Sequence, residues 1–338
     1  MTVVVTGASG HLGMNLVRAL VADKRPVRAL VHVNHKTLEG LGAETVQGNV
    51  SDIESLTRAF AGADVVYHLA GVISLLKSDW SRAEKVNVFG TRNVIEACRR
   101  SGVKRLVHFS SIHALQQEPL DTPVDESRPL VEGRRYPPYD RSKAAGQREI
   151  RKAITEGLNA VIVNPTGVFG PYDYQPSYFG STLILMANGR MPALINGGFD
   201  WVDARDVAQG AMLAEKNAPS GSEYLLSGHW VSMPDIAVAM KEVSDASITG
   251  FVCPMPLALF GAPFATVYSR LLKKRAYYTT VSLNALKSNH NISHDKATRE
   301  LGYQPRPFKE TLRDTLQWYA QNGDIKCALK RKITMDKI

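Results

Sequence analysis

Two hydrophobic patterns alternate through the first half of the chain. Short β-branched runs such as Val3-Val4-Val5 are followed by stretches whose apolar positions recur every three or four residues, such as Leu12, Leu16, Val17 and Leu20. The first pattern suits buried strands, the second helices that lay one face on a sheet. Continued along the sequence, the alternation predicts strands at 27–31, 44–48, 64–69, 105–110 and 160–164. It predicts helices starting at Ser51-Asp52-Ile53-Glu54, which reads as a capping box, at 84–100, and from near Tyr139 to about Glu156. Such alternation is the signature of a parallel, doubly wound α/β sheet of the Rossmann type. Pro165 breaks the regularity. The later half mixes proline-rich loops with helices at 235–243 and 308–320, and Asp203 and Asp206 are placed to cap a further helix at 207–215. The expected domains are a nucleotide-binding domain of residues 1–165 plus roughly 200–230, a smaller mixed α/β substrate domain of 166–199 and 231–322, and a basic tail at 323–338.

Composition agrees with this division. A chain of 338 residues is too long for one minimal domain, and 44% hydrophobic with 22% charged residues is a globular balance. The net charge of +9 comes from dispersed residues, apart from Lys273-Lys274-Arg275 and a tail holding Lys326, Lys330, Arg331, Lys332 and Lys337. No nucleic-acid module accompanies these cations, so they are read as solvated surface, compatible with anionic cofactors or substrates and not with a nucleic-acid partner. Cys98, Cys253 and Cys327 are odd in number and lack metal-ligand spacing, which points away from a metal site and towards a reducing compartment. With the first strand starting at residue 2, no signal peptide is expected, and the protein is expected in the cytoplasm. The most apolar later stretch, 252–267, is shorter than a bilayer span and contains Pro254, Pro256 and Pro263. It is expected to be a pocket or lid helix before a membrane anchor, with peripheral membrane contact the less favoured alternative and no integral membrane segment.

Two motifs carry chemistry. Thr6-Gly7-x-x-Gly10-x-x-Gly13 stands between the first strand and the first helix. Glycines there let the backbone approach a pyrophosphate, which the helix N-terminus favours electrostatically. Tyr139-Asp-Arg-Ser-Lys143 puts a phenol and an ammonium one helical turn apart on one face. A nearby cation is expected to lower the phenol from its ordinary value of about 10 towards neutrality, making it a proton donor and acceptor.

Together with His68-Leu69-Ala70-Gly71, the Asn87 motif Val86-Asn87-Val88-Phe89-Gly90-Thr91-Arg92-Asn93, Ser110-Ser111 and Asn164-Pro165-Thr166-Gly167-Val168-Phe169-Gly170-Pro171, these motifs resemble, in order and over nearly the whole chain, the extended short-chain dehydrogenase/reductases. Within that superfamily, Tyr139 to Gly146 and Asn164 to Tyr174 are most similar to the dihydroflavonol-4-reductase-like branch. The resemblance implies an NAD(P)-dependent oxidoreductase with Tyr139 as acid, Ser111 polarising the carbonyl, Lys143 lowering the tyrosine and bonding the nicotinamide ribose, and Asn87 holding a water in a proton relay. It implies a dinucleotide site of Gly7, Ser9, Gly10, His11, Leu12, Gly13, His32, Lys36, Asn49, Val50, Leu69, Ala70, Gly71, Ser110, Tyr139, Lys143, Pro165 and Val168. His68 is expected to pack under the sheet.

Cofactor choice turns on the end of the second strand, Arg28-Ala-Leu-Val31-His32-Val-Asn34-His35-Lys36, which has no carboxylate for a ribose hydroxyl. NADP is favoured over NAD, with His32, His35 and Lys36 standing in for the arginine usual at His32. Asn49 stands where relatives carry an aspartate for the adenine amine. For substrate, the candidates are His113, Tyr172, Tyr178 and Phe179, with Tyr174, Met255, Leu257 and Phe260 completing an apolar pocket. Ordinary packing is the competing account of His113 and of the aromatic residues. The expected activity is that of a carbonyl reductase or alcohol dehydrogenase on a hydrophobic small molecule. The alternatives are a nucleotide-sugar epimerase and a non-catalytic dinucleotide-sensing protein. A homodimer is left open. Ile112 and His113 replace the dehydratases' acidic pair, and the short loop 195–201 has no arginine for a sugar-nucleotide diphosphate.

Overall fold

The structure, a computed structural model, describes residues 1–32, 36–73, 79–271 and 279–330, with the backbone alone for Tyr268 and Arg270. The first elements are β1 (Val3–Thr6), α1 (His11–Ala22), β2 (Val27–Val31), β3 (Glu44–Gln47), α2 (Ile53–Phe60), β4 (Val65–His68), α3 (Trp80–Ala83), α4 (Gly90–Arg100), β5 (Arg105–Phe109), α5 (Pro138–Thr155), β6 (Ala160–Pro165) and β7 (Gly167–Phe169). They are followed by α6 (Tyr178–Ala187), β8 (Leu194–Ile195), β9 (Gly198–Asp203), α7 (Ala204–Asn217), β10 (Glu223–Leu226), β11 (His229–Ser232), α8 (Met233–Val243), β12 (Val252–Cys253), α9 (Met255–Leu271), α10 (Thr280–Ala285), α11 (Asp295–Leu301) and α12 (Phe308–Gln321).

These elements fall into two units. The first comprises Met1–Val168, Val202–Gly228 and Asn289–Pro305. Its sheet has seven strands in the order β10-β6-β5-β4-β1-β2-β3, all pairs parallel. Helices cover both faces, so β1, β4 and β6 are buried end to end and read as continuous apolar runs. Only the edge strand β3, Glu-Thr-Val-Gln, is largely exposed, and it is correspondingly polar. Strand order reverses beside β1: β2 and β3 lie on one side, and β4, β5 and β6 on the other. A ligand crevice is expected at such a switch point, here between the loops that leave β1 and β4.

Asp52, not Ser51, caps α2, accepting from the Glu54 and Ser55 amides, so Glu54 is one position too early for a capping box. The helix expected at 84–100 is α3, a π-helical stretch from Glu84 to Phe89, and then α4. Asp203 caps α7 through the Arg205 amide, and α7 runs from 204 to 217, longer than predicted. Residues 289–305, assigned above to the substrate domain, belong to the first unit: Tyr303 donates to the Ser227 carbonyl at 3.0 Å, and Ser227 donates to the Ile292 carbonyl at 2.9 Å.

The second unit comprises Phe169–Trp201, His229–Ser288 and Arg306–Ile338. It carries a three-stranded sheet in the order β11-β9-β7 and a short parallel pair, β12 with β8. Its core joins α6, α8 and α12 through Leu183, Met240, Leu312 and Leu316. The expected tail is docked in part, since Ile325 is buried in this core and Leu329 bridges to Ser244. Lys273, Lys274, Arg275, Arg331, Lys332 and Lys337 lie outside the described residues.

Candidate active site

The glycine turn is built by close backbone approach. Gly7 has φ +72°, and a β-carbon there would stand 2.7 Å from the Ala70 amide nitrogen. A β-carbon on Gly13 would collide with the Gly7 carbonyl and come within 2.9 Å of the Ala8 Cα. Gly10 donates to Gly7 at 3.0 Å and caps α1 without a side chain, and the first turn of α1 holds no acidic residue. The positive end of α1 is therefore offered to an anionic ligand, as the backbone amides of a dinucleotide cradle require. Ser9, His11 and Leu12 are half-buried around it. Leu69, Ala70 and Gly71 form the loop leaving β4, tied to β1 by the Leu69 amide on the Thr6 carbonyl at 3.2 Å.

A polar string runs from this turn under the sheet. The Ala70 amide donates to Thr6 Oγ1 at 3.2 Å, and Thr6 Oγ1 meets His68 Nδ1 at 2.9 Å. His68 Nε2 meets Thr91 Oγ1 at 3.1 Å, and Thr91 donates to the Asn87 carbonyl at 2.8 Å. Because the Thr91 proton is committed to Asn87, His68 must donate from Nε2 and accept at Nδ1. Burial, with the Lys143 charge a smaller influence, takes His68 down to about 3, so it stays neutral.

Asn87, in the π-helical stretch, bonds both backbone atoms of Val72: Nδ2 donates to the carbonyl at 3.0 Å, and Oδ1 accepts from the amide at 2.8 Å. Nδ2 also donates to Ser142 Oγ at 2.9 Å, and Ser142 donates to the Tyr139 carbonyl at 2.8 Å. Its side chain thus ties the loop after β4 to the first turn of α5, a positioning task distinct from the water-holding role implied by resemblance.

Around Tyr139 four elements converge. Of the two serines after β5, Ser111 is the one whose hydroxyl neighbours the phenol closely enough to favour its ionised form. Ser111 Oγ also accepts from the His113 amide at 3.2 Å, and its carbonyl accepts from Asn164 Nδ2 at 3.1 Å. Ser110 Oγ is buried with no hydrogen-bond partner among the described residues. Lys143 Nζ donates to the Phe109 carbonyl at 2.7 Å, and burial lowers it to about 8. The phenol itself differs from the sequence expectation. Burial pushes it up to about 12, the neighbouring Ser111 hydroxyl pulls it down, and the Asp140 charge adds to the rise. His113 lies edge-on to the Tyr139 ring at 5.7 Å between centroids, with Nδ1 3.5 Å from Asp140. Burial alone would lower this imidazole, but the Asp140 carboxylate raises it above its ordinary value.

The remaining first-unit candidates are dispersed around the nucleotide side. His32 is exposed at the end of β2, Lys36 is exposed just beyond, and His35 lies outside the described residues. Asn49 Oδ1 accepts from the Ser51 amide at 2.9 Å, which commits one lone pair of the oxygen expected to meet an adenine amine. Val50 is buried against Gly90, where a β-carbon would stand 2.9 Å from its Cγ2. Pro165 is buried at the end of β6, and Val168 is half-buried in β7.

In the second unit Phe179 is buried, stacked on Trp201 at 3.6 Å and edge-on to Phe169 at 5.4 Å. Tyr172, at φ +67°, packs against the same core, and Tyr178 is exposed at the start of α6. Tyr174 stands edge-on to Trp318, and Phe260 is exposed on α9. Ser142, Asp140 and Phe109 carry no role in the sequence analysis, and Thr91 enters it only within the Asn87 motif. Asp140 and Ser142 sit inside the Tyr-x-x-x-Lys motif, and their i+1 and i+3 offsets from Tyr139 were a usable signal. Among the described residues no group of acidic, histidine and cysteine side chains could hold a metal.

Residues 3–226 match the NAD dependent epimerase/dehydratase family. The chain is 33% identical over 333 residues to sterol demethylase protein B of Methylococcus capsulatus, covering 96% of this chain and 100% of that one. It is 30% identical over 332 residues to a 4-hydroxy-2-methyl-3-oxo-4-farnesyl-3,4-dihydroquinoline-1-oxide ketoreductase of Stigmatella aurantiaca, covering 94% of this chain and 96% of the relative. The crystal structure of gox2253 superposes with a TM-score of 0.84 at 30% identity, covering 96% of this chain and 99% of the other. The glycine cradle at the switch point of a seven-stranded parallel sheet, and the tyrosine and lysine on α5, are thus features of a chain that belongs to the NAD dependent epimerase/dehydratase family, the extended short-chain dehydrogenase/reductases, which work with a nicotinamide dinucleotide.

Proposed function

We propose that the protein is an NADP-preferring carbonyl reductase or alcohol dehydrogenase acting on a hydrophobic, sterol- or isoprenoid-like small molecule. The observation that carries this reading is the placing of two neighbouring hydroxyls, Tyr139 and Ser111, beside Lys143 in the same unit as the glycine cradle. A bound nicotinamide dinucleotide supplies or accepts the hydride. The carbonyl oxygen that gains negative charge as it is reduced needs two donors, and Tyr139 and Ser111 are a matched pair for it. A phenol held up near 12 stays protonated at neutral pH, and an alkoxide is basic enough to take its proton. Lys143, anchored on the Phe109 carbonyl, holds a cation at the base of α5 where the cofactor's ribose hydroxyls are expected. Asn87 and Ser142 fix the first turn of that helix.

The fit to a dinucleotide rests on the cradle that β-carbons at Gly7 and Gly13 would fill. Preference for NADP rests on exposed His32 and Lys36 where a carboxylate would select NAD. Relatives named for sterol demethylation and for reduction of a farnesylated quinoline oxide support an apolar, ring-bearing substrate. Exposed Tyr178 is the second-unit candidate for contact with it, and buried Phe179 serves by supporting α6. Free Cys98, Cys253 and Cys327 support a reducing compartment such as the cytoplasm.

Following NADPH oxidation across a panel of ketosteroids, isoprenoid ketones and small aldehydes tests the reading. The expected result is turnover of the larger apolar ketones, tighter NADPH than NADH binding, and loss or inversion of that preference in His32→Asp. Equal affinity for the two nucleotides in the native protein would remove the NADP claim. Micromolar binding of UDP, with no ketone reduced, would replace the whole reading with a sugar-nucleotide epimerase.

A further inference from the structure

Helix α9 is apolar on both faces, and the fold accounts for one of them. Its inner face, Ala258, Leu259 and Ala262, packs with Ile195 and Leu283 of the same unit. On the other face Leu257, Phe260, Phe264, Val267 and Leu271 follow one another at three- and four-residue spacing, and all are exposed, Phe260 at 73%, Phe264 at 68% and Leu271 at 76%. Single exposed apolar residues are ordinary on a surface, but a five-residue helical stripe with two phenylalanines is a contact face. Phe251 and Val252, also exposed, extend the apolar surface to the strand just before the helix.

Charge in this region selects the occupant. Between Asp245 and Asp295 the sequence contains no Asp or Glu, while it holds Arg270, Lys273, Lys274, Arg275 and Lys287. A second copy of the chain docking through this face would bring two acid-free, cationic segments together, which like-charge repulsion opposes. A surface rich in anionic lipid would supply counter-charge to the cations and a hydrocarbon boundary to the stripe. Among the described residues no helix is long and apolar enough to cross a bilayer, and α9 holds Pro263 within its length. A helix of this kind lies in the interface with its apolar face immersed.

We propose that α9 is an interfacial helix that docks the protein, peripherally and reversibly, on anionic membrane surfaces through Leu257, Phe260, Phe264, Val267 and Leu271. The proposal goes beyond the catalytic reading and does not depend on it: docking stands or falls on vesicle binding, whatever the substrate.

The test is sedimentation of the full chain with phosphatidylcholine vesicles containing or lacking phosphatidylglycerol. The expected result is binding to anionic vesicles at least tenfold stronger than to neutral ones, weakened severalfold when salt rises from about 0.1 M to about 0.5 M as the surface charge is screened. Phe260→Asp with Phe264→Asp should reduce it at least tenfold with the melting temperature unchanged, because both side chains are exposed. Phe264→Trp should keep binding and show quenching by brominated lipid acyl chains. Failure of the native chain to bind anionic vesicles, or an aspartate double variant that binds as well as native, overturns the proposal. Loss of a dimer in the double variant, with no vesicle binding by the native chain, overturns it in favour of a second copy.

Discussion

Tyr139 and Lys143 were legible as residues because four-residue spacing on a helix is a geometric fact of the sequence. Their electrostatics were not, since the Phe109 carbonyl that engages Lys143 and the burial that lifts Tyr139 come from other elements. Tyr139→Phe should lower turnover by on the order of a hundredfold or more while NADPH titration stays nearly unchanged, because a general acid typically contributes that much. A phenylalanine variant as active as native would remove the phenol from the mechanism. Below them, His68 and His108 face each other across β4 and β5 at 5.3 Å, and both His108 nitrogens lack hydrogen-bond partners among the described residues. Burial holds His68 down to about 3 and His108 well below its ordinary value. The unfolded chain, with histidines near 6.5, binds protons in the window below about 6.5 that the folded chain refuses, so stability rises with pH across it and is lost on acidification. Each such histidine contributes a slope of up to about 1.4 kcal/mol per pH unit. His108→Phe should therefore flatten the fall in melting temperature between pH 6.5 and 4. An unchanged profile would mean that the ring takes up protons in the folded state.

At the scale of elements, the alternation of strand and helix was visible because the central strands of the parallel sheet are buried on both faces and mostly apolar. The π-helical stretch Glu84–Phe89 was not visible, because the apolar spacing on either side of it stays helical. It is set by tertiary fit: the Asn87 side chain reaches both Val72 and Ser142, and its carbonyl lies so near α5 that a β-carbon on Gly146 would stand 2.5 Å from it. Gly146 therefore fixes the distance between the Asn87 segment and the helix that carries Tyr139 and Lys143. Gly146→Ala should displace α5 and lower kcat at least tenfold, with a smaller effect on folding than on turnover. If crystallography and kinetics both found this variant native-like, close approach at Gly146 would be incidental to the site.

Across the whole molecule, sequence order and spatial order diverge most after β6. Local sequence pattern places 231–322 in a substrate domain, since nothing in residues 289–305 distinguishes a returning segment from its neighbours. In the structure that segment completes the nucleotide-binding unit. Tyr303, 2% exposed, donates to the Ser227 carbonyl and stands edge-on to His294 at 5.7 Å, Tyr224 donates to Glu300 at 3.0 Å, and Lys296 donates to the Glu223 carbonyl at 2.9 Å. Strand β10, the edge of the seven-stranded sheet, is thereby held from outside by α11. Tyr303→Ala removes a buried aromatic ring and leaves the Ser227 carbonyl without that donor, a change of the kind that costs about 3–5 kcal/mol. The expected outcome is a large drop in melting temperature accompanied by weaker NADPH binding, because β10 and α7 belong to the unit that holds the cradle. A division at the boundaries first read from the sequence predicts the opposite: folding of the substrate domain should suffer and cofactor affinity should be spared. Calorimetric unfolding with and without NADPH separates the two, since a ligand raises the melting temperature only of the unit whose folding it is coupled to.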